Sequence, residues 1–196
     1  EHSEYGARLN LLANSYYFLN QYEKAIPLYL EALINCEKTL GKEHSEYGVR
    51  LNNIADSYYA LNQFEKAIHF YQEALINCEK TLGKEHSEYG ARLNNIAISY
   101  YALNQFEKAI HFYQEALVNC EKTLGKEHSE YGVHLNNLAN SYYSLNQYEK
   151  AIPLYLEALI NCEKNLGKEH SEYGARLNLL ADSYYYLKQF EKAIPF

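Results

Sequence analysis

The residues with the most chemical reach in this chain are four cysteines and eight histidines. Cys36, Cys78, Cys120 and Cys162 recur at a constant spacing of 42 on an apolar helix face. Helices stacked at that period pack roughly 9–10 Å apart, beyond the ~7 Å Cα limit for a disulfide, so reduced core thiols are expected. Such usage fits a cytoplasmic setting. No Cys-x-x-Cys or His-x-x-x-His pair is present, so no metal site is expected. Five histidines, His2, His44, His86, His128 and His170, each precede a serine. A Ser-His pair suggests nucleophilic catalysis, but sequence neighbours at a helix start lack the oriented base and oxyanion donors that chemistry needs, and a loop or capping role is expected. Glu46, Glu65, Glu73 and Glu79 alternate with Lys66 and Lys80 as solvated helix faces, not as a paired-carboxylate site. There is no Gly-rich phosphate loop. The reading is therefore not an enzyme, with no cofactor and no catalytic residue.

Other classes fall away on composition. The chain has 196 residues, 47% hydrophobic and 22% charged, enough apolar material to bury a core. Its net charge of −7 comes without a basic run, so neither nucleic acid nor anionic lipid is an expected partner. No apolar stretch nears the roughly 20 residues that span a bilayer. Tyrosine is abundant at 22 copies, whereas Met and Trp are absent. Without an initiating Met, the chain is expected to be an excerpt of a longer protein.

The elements that position these residues follow from internal repetition. Glu-His-Ser-Glu-Tyr-Gly begins at Glu1, Glu43, Glu85, Glu127 and Glu169, giving repeats 1–42, 43–84, 85–126, 127–168 and a shortened 169–196. In repeat 2, Leu51, Ile54, Ala55, Tyr58 and Leu61 step by three or four, one apolar face of a helix A from about Ser45 to Leu61. Ser45 and Glu46 suit its start by capping and by the helix dipole. Asn62, which tolerates the left-handed conformation, ends it. Phe64, Ala67, Ile68, Tyr71, Ala74, Leu75, Cys78 and Leu82 give helix B, with Lys80 in its last turn and Gly83 beyond. A short turn makes the pair antiparallel, and each hairpin buries its apolar face only against its neighbours.

These residues resemble the tetratricopeptide repeat (TPR) family, on Leu51, Ile54, Ala55, Tyr58, Ala67, Tyr71 and Ala74. Glu79 stands where the family usually has proline. The period is 42 rather than about 34, about one extra turn per helix. This long form is similar to the repeats of kinesin light chains and of bacterial multi-repeat proteins, on His44-Ser45-Glu46 and Leu51-Asn52-Asn53-Ile54-Ala55. The resemblance implies an all-α, right-handed α-solenoid of about four and two-thirds repeats, a single array over 1–196. It implies further that the A helices line a concave groove holding a peptide or partner domain.

Near-identical copies also show which positions stacking leaves free. In helix A the copies differ mainly at Ala7/Val49/Ala91/Val133/Ala175, Leu11/Asn53/Asn95/Asn137/Leu179, Asn14/Asp56/Ile98/Asn140/Asp182 and Phe18/Ala60/Ala102/Ser144/Tyr186. Steps of four, three and four place these on one stripe, expected to face away from the core. The resemblance makes it the groove floor. Beside it run two unvarying ladders: Asn10, Asn52, Asn94, Asn136 and Asn178, and Tyr17, Tyr59, Tyr101, Tyr143 and Tyr185. An amide offers donors and an acceptor, so the Asn ladder suits the backbone of an extended peptide. Ala60, Ala102 and Ile98 suggest a small apolar pocket near repeats 2 and 3. The carboxylate clamp of chaperone-binding TPRs needs cations in the groove, where this chain has Asn, Asp or Ile. Arg8, Arg50, Arg92 and Arg176, with His134 in the fourth copy, are expected at the groove's edge. Pro27, Pro153 and Pro195 fall early in helix B.

A competing expectation is a structural spacer or self-assembling rod inside a multidomain protein. Ile194 and Phe196, uncovered on the shortened last helix, predict end-to-end self-association.

Overall fold

Each 42-residue period resolves into two helices and two short connections. The structure, a computed structural model, describes residues 2–195. The chain forms two compact units, Glu1–Leu103 and Asn104–Phe196. The first holds α1 (His2–Phe18), α2 (Tyr22–Thr39), α3 (Ser45–Ala60), α4 (Phe64–Thr81) and α5 (Ser87–Ala102). The second holds α6 (Phe106–Thr123), α7 (Ser129–Ser144), α8 (Tyr148–Leu166), α9 (Ser171–Tyr186) and α10 (Phe190–Ala193). The described residues contain no strand, and the fold is all-α as expected. Within each unit successive helices pack pairwise, α1 on α2, α2 on α3 and α3 on α4 in the first, α7 on α8 and α8 on α9 in the second.

The helix ends show why the chain turns where it does. Asn20, Asn62, Asn104 and Asn146 all adopt φ of 57–58°, and Lys188 takes the same left-handed place in the last copy. Gly41, Gly83, Gly125 and Gly167 have φ near 85°, closing each helix B. The Gly83 N–H donates to the Cys78 carbonyl at 3.1 Å. The starts of the A helices correct one expectation. His44, not Ser45, is the cap: its extended backbone leaves the ring Nδ1 accepting from the Glu46 N–H at 3.2 Å. His86, His128 and His170 do the same. Ser45 is already inside the helix, so its hydroxyl is not the first acceptor.

The core lies between hairpins. Leu51, Ile54, Ala55, Ala67 and Ala74 are wholly buried, as are Leu180 and Tyr155 in the second unit. Each large apolar side chain of this kind contributes about 1.5–3 kcal/mol. Leu82, expected on the buried face, is half exposed, because it lies past the last turn of α4. Ile194 is 81% exposed, while Phe196 lies outside the described residues.

A close contact locks the α3–α4 and α7–α8 hairpins. Asn77, near the end of α4, is buried and donates to the Lys42 and His44 carbonyls at 2.6 and 3.1 Å. Asn161 repeats this with Lys126 and His128 at 2.8 and 3.0 Å. Gly48 and Gly132 pass directly over these amides, and a methyl group on either would overlap the Asn77 or Asn161 amide oxygen. At Gly174 the same methyl would meet nothing within 4 Å.

Candidate functional site

Two arrangements of polar side chains stand out, one on the A-helix stripe and one between hairpins. On the stripe, Asn53 donates to the Asn10 amide oxygen at 3.2 Å, and Asn95 to that of Asn52 at 3.3 Å. Amides one repeat apart are thereby linked across α1, α3 and α5. Asn52 also donates to Asp56 at 2.9 Å, and the other Asp56 oxygen accepts from the Tyr71 hydroxyl at 2.6 Å. Burial raises the Asp56 pKa, opposed by the Tyr71 hydrogen bond. Burial likewise raises the Tyr29 hydroxyl, to about 12, and Tyr71 still further with Asp56 adding. Tyr29 donates to Asn14 and Tyr155 to Asn140, both at 2.7 Å.

The stripe therefore does not face wholly away from the core. Asn14, Asp56 and Asn140 are half-buried acceptors for a buried tyrosine of the following helix B, which stacking does constrain. The signal was in the sequence, since an acceptor stands fifteen residues before an unvarying tyrosine in these copies. The Tyr ladder also serves the hairpin. Tyr17 packs edge-on against Tyr22 at 5.2 Å, and Tyr143 against Tyr148 at 5.3 Å. Tyr186 stacks on Tyr148 at 5.0 Å.

A cavity of about 370 Å³ opens on the stripe in the first unit, lined by Asn10, Asn14, Tyr17, Phe18, Tyr29, Val49, Asn53 and Asp56. Its rim residue Phe18 is 80% exposed. Ala60, Ala102, Ile98 and Asn94 are half-buried on α3 and α5, as are Asn136, Asn137 and Asn140 on α7, whereas Asn178 on α9 is exposed. Tyr59, Tyr101 and Tyr143 are half-buried at the ends of the same helices.

The second arrangement corrects the placement of the arginines. Arg8 is exposed, but Arg50 and Arg176 are only 7% and 6% exposed, buried between hairpins rather than set on a groove edge. Each follows a helix B cysteine in space. Arg176 donates to the Cys162 sulfur at 3.0 Å and pairs with Glu172 at 2.9 Å. Arg50 reaches the Cys36 thiol and pairs with Glu46 at 3.1 Å. Arg92 lies near Cys78 and pairs with Glu88 at 2.8 Å. The Arg methylenes cover the apolar seam while the head finds the thiol and carboxylate.

At the α6–α7 junction His134 takes the arginine's place, 4% exposed beside Cys120, which is 2% exposed. The Cys120 sulfur, a Glu130 oxygen and a His134 ring nitrogen lie within 4.8 Å of one another. Burial lowers the His134 pKa to about 4. Burial, with Glu130 adding, pushes the Cys120 thiol up to about 11. At Cys36 and Cys78 a neighbouring guanidinium opposes the same rise.

Repeated antiparallel hairpins, short left-handed Asn turns and small residues at the crossings define a helical-repeat protein. The chain belongs to the tetratricopeptide repeat family, whose profile matches residues 6–80, 51–122, 91–159 and 130–196. Members of this family generally serve as non-catalytic scaffolds for protein interactions. Among solved structures, a kinesin light chain-like protein of Podosopora anserina with nearly identical TPR-like repeats is 25% identical. That match covers 100% of this chain and 92% of that one, with a TM-score of 0.82. BtubC (BKLC) from P. vanneervenii shares the fold at 23% identity, TM-score 0.85, covering 99% of this chain and 77% of that one. A Rap protein complexed with competence and sporulation factor does so at 17% identity and TM-score 0.68, covering 95% and 50%. No curated protein sequence matches the chain. No helix among the described residues is long and apolar enough to cross a membrane.

Proposed function

We propose that this chain is a non-enzymatic interaction scaffold whose A-helix stripe binds an extended peptide segment of a partner protein. The observation that carries the reading is the cavity between α1 and α3, where an apolar wall of Tyr17, Phe18 and Val49 meets the amides of Asn10 and Asn53. A bulky apolar side chain of the peptide enters that cavity. With the Asn10 oxygen taken by Asn53, the Asn10 NH2 group faces the partner's backbone carbonyl. Asn52 has its oxygen on Asn95 and one N–H on Asp56, leaving a second N–H for the next carbonyl. Asn94 extends the ladder within the first unit, and Ala60, Ala102 and Ile98 give a shallow apolar floor there. The Rap complex supplies a precedent within the fold, and says nothing about this chain's own partner. The buried thiols fit a cytoplasmic placement, which belongs to the same proposal.

A labelled peptide library titrated by fluorescence anisotropy tests this. Phe18→Ala, Asn53→Ala and Ala60→Tyr are each expected to weaken the selected peptides by at least about tenfold, one lost anchor of about 1.4 kcal/mol. Binding unchanged in all three overturns the groove reading.

A further inference from the structure

The junctions between hairpins within the two units share a three-cornered pattern. A helix B thiol and a helix A carboxylate enclose a fixed positive charge: Arg50 between Cys36 and Glu46, Arg176 between Cys162 and Glu172. At the α6–α7 junction the thiol and the carboxylate are kept, but the cation is not. His134 leaves a sulfur, an oxygen and an imidazole nitrogen converging within 4.8 Å.

We propose that Cys120, Glu130 and His134 bind a divalent cation of the zinc class, which occupies the position the guanidinium charge holds in the sister junctions. The donor set decides the class. Thiolate and imidazole favour zinc or cobalt over calcium or magnesium, which prefer all-oxygen cages. Bonds of about 2.0–2.3 Å to a tetrahedral ion put ligand atoms ~3.5 Å apart, so binding draws these three inward by about 1 Å. Glu130 and His134 are one turn apart on α7 and present one face to Cys120 on α6, so side-chain rotation alone brings this about. Glu130 is exposed, giving the ion an entry path and a fourth position for solvent. The uncharged imidazole is also the form that ligates.

The test is titration of the whole chain with Co2+, read by thiolate-to-cobalt charge-transfer absorption in the near ultraviolet, then displacement by Zn2+. One equivalent is expected, with a rise in melting temperature on adding Zn2+. His134→Arg restores the side chain found at the sister junctions, so it folds, and is expected to abolish both the band and the melting shift. Cys120→Ala is expected to weaken binding at least ~10-fold, the loss of a direct ligand exceeding that of an outer partner. Absence of a thiolate band at one equivalent overturns the proposal. So does a band that survives His134→Arg, since the metal would then lie on another cysteine.

Discussion

The α2–α3 and α6–α7 junctions keep the same helix B cysteine and helix A glutamate but differ in the residue set between them, Arg50 in one and His134 in the other. Arg50 carries a permanent charge between Cys36 and Glu46, and its long stem fills the seam. His134 is shorter and neutral, and it leaves Cys120 with a carboxylate neighbour and no guanidinium. A charged arginine here is not a perfect fit: among the described residues the buried Nε of Arg50, Arg92 and Arg176 finds no acceptor. The two junctions thus solve one packing problem with different electrostatics, a fixed guanidinium in one and a neutral imidazole in the other.

Both junctions rest on the same backbone frame, which the Gly–Asn crossings set. Breaking that frame has the largest expected effect. Gly48→Ala and Gly132→Ala should each destabilise by about 2–3 kcal/mol, because the amide they strike is held by two backbone carbonyls and cannot move aside. Gly174→Ala, with open space around it, should instead stabilise by about 0.5–1 kcal/mol through helix propensity. Urea midpoints of the three variants decide this, and equal shifts would remove the frame from the comparison.

Proton uptake separates the junctions next. His134 titrates near 4 in the fold against 6.5 when unfolded. Below pH 6.5 the unfolded chain takes up the proton first, so stability is full above that value. It falls progressively toward pH 4 and by then has lost up to on the order of 3 kcal/mol. Melting curves with a chelator present should show this slope, and His134→Arg should remove that component.

Exchanging the residues gives smaller effects. Arg50→His should cost about 1 kcal/mol in lost stem packing, while creating a second cobalt-thiolate band on Cys36 and Glu46. His134→Arg in metal-free protein at neutral pH should change stability by less than about 1 kcal/mol, since the new pair is offset by an unsatisfied Nε. A large loss in urea denaturation would mean that the α6–α7 seam cannot accept the arginine stem that α2–α3 holds.

Much of this was legible from spacing alone. The five-fold return of Glu-His-Ser-Glu-Tyr-Gly, the three- and four-residue steps of Leu51, Ile54 and Ala55, and the Asn62 and Gly83 stops foretold the helices to within a residue or so. Periodicity reports which face is apolar and where a backbone must turn, and both are local properties. It misassigned the arginines, because Arg50 is four residues from Glu46 on a polar-looking helix and only the packing of α2 shows that its head is buried. It also misjudged the stripe, since the bond between Tyr71 and Asp56 joins two helices of a hairpin.

The sequence by itself determined the period, the helical hairpin, the left-handed turns and the burial of the cysteines, because each follows from residue type and position within one repeat. Tertiary structure alone decided that His44 rather than Ser45 caps, that Gly48 exists to clear Asn77, and that Cys120, Glu130 and His134 meet. Those three lie ten and fourteen residues apart on two helices, a separation no local motif records. Convergence of their ligand atoms is a property of how α6 packs on α7.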